Sequence, residues 1–215
     1  MHEQRVRPYS QYLLVKEGKP YWRLAVLTEE AFEHILRPIM RKDSLCLEQK
    51  GYEVGLDDFH MVKQDSFQGL EERFWTGTDK VHHIDLEFLT SASFKKNGEY
   101  MIFPELPLVL NSLIRKWNAY SDSMVLGEER LGDKLAESMC ITDYRLHTHP
   151  FSVEGRRIRA FRGNIRLGLF KDDITRRMAS MLAAFADYAG IGIKTAMGMG
   201  AVESDISYYQ KKERL

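Results

Sequence analysis

The stretch DDITRRMASMLAAFADYAGIGIKTAMGMGAVE, residues 172–203, encodes a helix, a turn and a strand in that order. Asp172 and Asp173 favour a helix start, where carboxylates meet the positive end of the backbone dipole. Ile174, Met178, Leu182, Phe185 and Ala189 then recur at helical spacing, and Gly190 stands where a glycine closes a helix. Gly190, Gly192, Gly198 and Gly200 follow within eleven residues, before a last strand through Met199 to Glu203. Two phosphate-binding motifs fail on this loop. A Walker loop needs a glycine where Ile193 stands, a dinucleotide fingerprint needs one where Thr195 stands, and both require a strand before the loop. Two readings remain for a glycine loop that runs from helix to strand. One is a tight turn that only closes the fold. The other is a site where backbone amides approach phosphate, with the Lys194 charge and the Thr195 hydroxyl beside them.

Upstream, Val81 to Leu89 alternates Ile84, Leu86 and Phe88 with Asp85 and Glu87, as a half-buried strand does. After Pro104, Leu106, Val109, Leu110, Leu113, Ile114 and Trp117 form one continuous helical stripe. Gly127 to Met139 predicts a shorter helix. Ile141 to His149 and Arg156 to Leu169 predict two strands around the Glu154-Gly155 turn, with a change of apolar phase that places a bulge near Ala160. The order is βαββαβ, an antiparallel sheet covered by helices on one face.

The first half is less regular. Tyr9 to Val15 and Tyr21 to Leu27 flank turn chemistry at Lys16 to Pro20, so a hairpin is expected. Thr28 caps a helix carrying Phe32, Ile35, Leu36 and Ile39, with Pro38 in its last turn. Leu45 to Val54 and Asp58 to Lys63 read as extended, and Gln64 to Thr78 as a polar surface connection. The predicted fold class is therefore α+β, with tandem ferredoxin-like (RRM-like) βαββαβ domains of which the first lacks its opening βα unit. The expected division is a partial domain over 1–78, a full domain with the glycine loop over 79–203, and a tail over 204–215.

Composition narrows the function classes. Lysine plus arginine and aspartate plus glutamate are both 31 in 215 residues, so any affinity for nucleic acid has to be local. Cys46 and Cys140 are too few for a disulfide framework or a thiolate metal site, and are expected as buried thiols. No apolar run approaches the roughly 20 residues that span a bilayer, and a cytoplasmic location is expected. No metal site and no cofactor are expected. His34, His82 and His83 carry no assigned chemistry.

A local basic patch does exist. Arg145, Arg156, Arg157, Arg159, Arg162 and Arg166 face only Asp143 and Glu154 along the predicted hairpin, interleaved with Tyr144, Phe151 and Phe161. Arginine forks bind phosphate bidentately and stack on bases, a composition suited to RNA. The alternative is an ordinary solvated strand face. His147 and His149 share one face of the same strand. Facing RNA as hydrogen-bonding groups is their mildest assignment; a general base or a metal pair is the sharper one.

The glycine loop resembles the C-terminal glycine-rich loop of the RAMP superfamily. Phe103-Pro104-Glu-Leu-Pro107, then Ser112-Leu-Ile-Arg-Lys-Trp117-Asn118, resemble the proline pair and S-L-x-x-x-W-N helix of its CRISPR-associated repeat-processing endoribonucleases. Phe88 to Phe94, Tyr144-Arg145-Leu146 and Phe161-Arg162-Gly163 are similar to that branch's F-x-T-x-x-x-F, central-strand and F-x-G segments. The resemblance covers most of residues 7–203. It implies an RNA-binding endoribonuclease that cuts CRISPR repeat RNA (pre-crRNA) to guide RNA without metal, a 2′-hydroxyl attacking the adjacent phosphate. His2-Glu3 ahead of Arg5 and Arg7-Pro8-Tyr9-Ser10 matches the family's catalytic segment, which makes His2 the implied base and Arg5 or Arg7 the implied cation. An imidazole, titrating near about 6.5, suits proton transfer at neutral pH. The basic patch and the resemblance together give expected RNA contacts at Arg145, His147, Arg156, Arg157, Arg159, Arg162, Gly190, Gly192, Lys194, Thr195, Gly198 and Gly200, and the resemblance implies repeat RNA or crRNA and other subunits of a CRISPR effector complex as partners. A non-catalytic RNA-binding subunit of such a complex is the alternative that stays open.

Overall fold

The computed structural model describes residues 6–48, 50–153, 155–170 and 172–209. His2 and Arg5, and Glu154 at the expected turn, lie outside them.

Strands β1 (Tyr9–Lys16) and β2 (Lys19–Val26) form the expected hairpin, closed by Glu17 and Gly18, both at positive φ. Two left-handed residues in a two-residue loop match the right-handed twist of the strands. Thr28 accepts from the Ala31 amide at 3.1 Å and starts α1 (Glu29–Ala31), which widens into a π turn over Phe32–Leu36 and ends in α2 (Arg37–Ile39). Leu45 to Val54 is not one strand. It folds back as β3 (Ser44–Leu47) and β4 (Tyr52–Gly55), because Gly51 takes the positive φ of a tight turn. The first half thus holds two separate two-stranded sheets, and Asp58 to Lys63 forms no strand.

The stretch expected as a bare connection contains helix α3 (Phe67–Thr76). Ser66 caps it, accepting from the Gly69 amide at 2.9 Å. Leu70 and Phe74 are buried, and the Phe67 ring meets Trp117 edge-on with centroids 4.9 Å apart. A surface connection would bury none of these.

The four-stranded antiparallel sheet comprises β5 (Val81–Ala92), β8 (Met139–Thr148), β11 (Phe161–Leu169) and β12 (Val202–Tyr208), in the spatial order β12-β5-β11-β8. Between them come the small hairpin β6 (Phe94–Lys96) and β7 (Glu99–Met101), helices α4 (Leu106–Tyr120) and α5 (Leu131–Ala136), the hairpin β9 (Phe151–Val153) and β10 (Arg156–Ile158), and helix α6 (Asp173–Ala189). β12 extends through Tyr208, so residues 204–208, expected in the tail, belong to the sheet. The bulge expected near Ala160 appears as a register shift between Phe161 and Gly163.

The alternation on β5 and β11 aims Ile84, Leu86, Phe88, Phe161, Ile165 and Leu167 at one core with Leu113, Trp117, Met181, Leu182 and Phe185 of α4 and α6. Each fully buried side chain of this size stabilises the fold by roughly 1.5–3 kcal/mol. Arg177 ties α3 to α6, its Nη1 donating to the carbonyls of Phe74 at 2.7 Å and Gly77 at 2.7 Å, where the helix end leaves acceptors unpaired. Cys46 and Cys140 are both exposed, not buried, since each lies on the outer strand of its sheet. Among the described residues no helix is long and apolar enough to cross a membrane.

Candidate functional site

The glycine loop is built mostly from the inside. The amides of Gly190, Gly192 and Gly200 donate to Ala186 O, Ser112 Oγ and Ser91 O, at 2.8, 2.9 and 2.8 Å. A Cβ on Gly192 would stand 2.4 Å from Ser93 O, and one on Gly200 2.0 Å from Ile191 O. These glycines are required so that backbone can pass against backbone, the plainer of the two readings, and their amides are already committed. Thr195 is likewise turned inward, its hydroxyl accepting from Lys116 Nζ at 3.1 Å. Gly198 differs. It has φ +97°, and only Phe151 Cζ, at 3.8 Å, approaches where a Cβ would be. Lys194, Met197 and Gly198 are therefore the outward residues of the loop.

Lys116 is the keystone that sequence reading missed. It is buried on the inner side of α4 and donates to Ala189 O at 2.9 Å, Gly190 O at 2.8 Å and Thr195 Oγ1 at 3.1 Å. Burial, helped by the Arg115 charge, lowers it to about 7. Its position was legible, three residues after Leu113 and one before Trp117 on the apolar stripe; its partners, 73 to 79 residues away, were not.

β1 lies along the other side of the loop. Ser10 Oγ donates to Tyr188 O at 2.5 Å, and Gln11 Nε2 donates to Ala196 O at 2.8 Å. Tyr120 donates to Val6 O, so residues 6–11 run from the end of α4 to the glycine loop. Arg7 is exposed on this path, and its charge opposes the rise that burial gives the Tyr120 phenol. Of the implied catalytic residues, Arg7 alone lies among the described residues, on the path that leads to the loop.

The β9–β10 hairpin sits on the loop through a small apolar cluster of Ile158, Ala160 and Met199, with Phe151, Val153 and Ile193 packed against it. Its outward residues Arg156 and Arg157 are exposed, as are Arg145 and Arg162 on the adjoining strands. None of these four makes an ion pair among the described residues. The chain supplies acids to the other two arginines from distant strands. Arg166 forks onto Asp85 with bonds of 2.8 and 2.9 Å, which raise its pKa, and Arg159 pairs with Glu99 at 3.0 Å. Both Arg159 and Glu99 are well exposed, and such a pair holds weakly. The patch is acid-poor in sequence but not throughout in space.

On the sheet face away from the helices, Arg145 pairs in register with Asn164 and His147 with Arg162. The β5 and β12 half of that face carries Asp85, Glu87, Glu203 and Asp205 instead. His149 Nδ1 lies 2.7 Å from the hydroxyl of buried Ser91, and its ring is 6.1 Å from that of His147. Among the described residues no cluster of three histidine, cysteine or acidic side chains gathers in metal-binding proximity.

A family model described as CRISPR-associated endoribonuclease Cas6 matches residues 86–202, more than half of the chain. A Streptococcus thermophilus protein named CRISPR-associated endoribonuclease Cas6 is 28% identical over 94% of this chain and 82% of its own length. A Mycobacterium tuberculosis protein of the same name is 30% identical over 94% of this chain and 64% of its own length. A solved Cas6 product complex superimposes with a TM-score of 0.78 at 22% identity, covering 95% of this chain and 84% of that one. Thermus thermophilus Cas6 does so with a TM-score of 0.69 at 22% identity, over 94% and 81%. The motifs, the loop that closes on α4 and β5, and these matches agree, and the chain belongs to the CRISPR-associated endoribonuclease Cas6 family.

Proposed function

We propose that this endoribonuclease binds CRISPR repeat RNA across the β9–β10 hairpin and the outward part of the glycine loop, and cuts it without a metal ion to release guide RNA. The observation that carries the reading is the seating of the hairpin on the loop through Ile158 and Met199, with Phe151 against Gly198, while Arg156, Arg157 and Arg162 stay exposed and form no ion pair among the described residues. Guanidinium forks on a rigid hairpin can grip phosphates bidentately, and Arg145 and His147 extend the grip along β8. Arg159 joins when phosphate displaces its exposed Glu99 partner. Gly190, Gly192, Gly200 and Thr195 serve by shaping the loop that presents Lys194.

In the chemistry, the 2′-oxygen bonds to the adjacent phosphorus as the bond to the 5′-oxygen breaks, giving a 2′,3′-cyclic phosphate and a 5′-hydroxyl. His2 takes the 2′ proton, the departing 5′-oxygen takes a proton from water or from the imidazolium so formed, and Arg5 or Arg7 stabilises charge growing on the phosphate. The anchoring of residues 6–11 beside the loop supports that placement. The βαββαβ order of residues 79–203 supports a ferredoxin-like domain there, with residues 1–78 as part of a first, and a cytoplasmic site of action fits RNA processing. Partner subunits of an effector complex would receive the bound product.

Single-turnover cleavage of a repeat RNA in chelator, by the parent and by His2→Ala, tests this. Losing a general base costs about a hundred to ten thousand fold in rate, with affinity for the RNA, measured separately, unchanged. Equal rates would remove His2 from the mechanism. Tight binding without cleavage by the parent would favour the non-catalytic subunit, and cleavage only after a divalent ion is restored would overturn metal independence.

A further inference from the structure

We infer that His149 is a further RNA contact, presenting its Nε2–H as a hydrogen-bond donor to a backbone phosphate beside the glycine loop, with Ser91 as the positioning residue that fixes it in that form. This rests on the RNA-binding reading of the hairpin and loop.

The imidazole is exposed, yet its Nδ1 is held 2.7 Å from Ser91 Oγ. Ser91 is only 3% exposed, and its hydroxyl has no other hydrogen-bond partner among the described residues. That decides the direction of the bond. If Nδ1 carried the proton, the buried hydroxyl proton would be left without an acceptor, which burial penalises. Ser91 therefore donates to Nδ1, and a neutral ring then carries its proton on Nε2. No described residue bonds Nε2. The group shown to solvent is a donor, which suits a phosphate oxygen and not the abstraction of a 2′ proton. The base alternative considered for this histidine is thereby disfavoured.

Position agrees with chemistry. Arg145, His147 and His149 follow one another at alternate positions of β8 and its continuation, and the His149 amide donates to Ala160 O at 2.8 Å, fixing the backbone at the foot of the hairpin. Ser91 also accepts the Gly200 amide at 2.8 Å. A single β5 residue thus anchors both the glycine loop and the imidazole. The row of donors along β8 leads to the loop, and His149 is its last member.

The experiment measures affinity for a repeat RNA carrying a 2′-deoxy nucleotide at the cleavage site, with the parent, His149→Ala, His149→Gln, Ser91→Ala and the double variant Ser91→Ala/His149→Ala. Arg157→Ala serves as the control for the site itself. A hydrogen bond to a charged group predicts a loss of about ten- to a hundredfold for His149→Ala. His149→Gln, which keeps an outward N–H, recovers most of it. Ser91→Ala weakens binding less than His149→Ala does, and adds nothing in the double variant, since its effect runs through the ring. A merely structural serine would add its loss in both backgrounds, and that result would overturn the positioning role. Unchanged affinity for His149→Ala, or a glutamine variant as weak as alanine with the fold intact by circular dichroism, would overturn the contact while Arg157→Ala still weakens binding. If neither the parent nor any variant binds the RNA, the site reading itself fails and takes this inference with it.

Discussion

Lys116 shows how one side chain can hold a functional loop without touching a ligand. Its three acceptors lie at the end of α6 and within the glycine loop, where the helix dipole leaves carbonyls unpaired and negative. Replacing it with methionine keeps volume but leaves those acceptors buried and unsatisfied, and is expected to destabilise by about 1–3 kcal/mol. The pH dependence follows from its lowering to about 7 in the folded chain. An unfolded lysine keeps its proton to about pH 10.4, so above neutrality the unfolded state binds more protons and stability rises with pH across that window. Urea midpoints of the parent are therefore expected to rise from pH 7 to pH 9 by more than those of Lys116→Met. Parallel shifts would show that the lysine stays charged when folded. None of this was legible in sequence beyond the placement of Lys116 on an apolar stripe. The glycines were legible as a loop, but which of them serve closure and which face outward depends on the Ser91, Ser93 and Ile191 carbonyls brought against them by the fold.

At the scale of elements, the long helices and strand β5 were readable because each carries a sustained period, 3.6 or 2, over ten residues or so, whereas β12 was expected only through Glu203, its residues 204–208 reading as tail. Helix α3 was not. It is short, carries Gly69, and alternates single apolar residues with charges, so its few signals, Ser66 as cap and Phe67, Leu70 and Phe74 on one side, were outweighed by composition. What makes it a helix is tertiary: α6 and Trp117 bury that side, and Arg177 caps its end. Leu70→Ala is accordingly expected to cost about 2–5 kcal/mol in denaturant unfolding. A change of less than about 0.5 kcal/mol, as for a surface connection, would contradict the packing. The expected single strand over Leu45 to Val54 failed for a related reason. Gly51 can turn the chain back on itself, and periodicity does not register such a reversal.

The whole molecule has a net charge of zero and yet is electrically divided. Asp85, Glu87, Glu203 and Asp205 line the β5 and β12 side of the open sheet face, while Arg145, Arg156, Arg157 and Arg162 lie on the β8 side and its hairpin. Composition hides such a division, because it counts charges without placing them, and the pairing of Arg166 with Asp85 crosses 81 residues of chain. The proposed RNA path keeps to the hairpin side, where Arg145, Arg156, Arg157 and Arg162 form no ion pair among the described residues and the glycine loop is at hand. The most direct measurement of this account is the salt dependence of binding to a non-cleavable repeat RNA by the parent and by Arg156→Ala/Arg157→Ala/Arg162→Ala. Each phosphate contact on a single strand contributes about 0.7 to the slope of log affinity against log salt, so the triple variant is expected to bind more weakly with a slope reduced by about 2. An unchanged affinity and slope would contradict the placement of RNA on the hairpin.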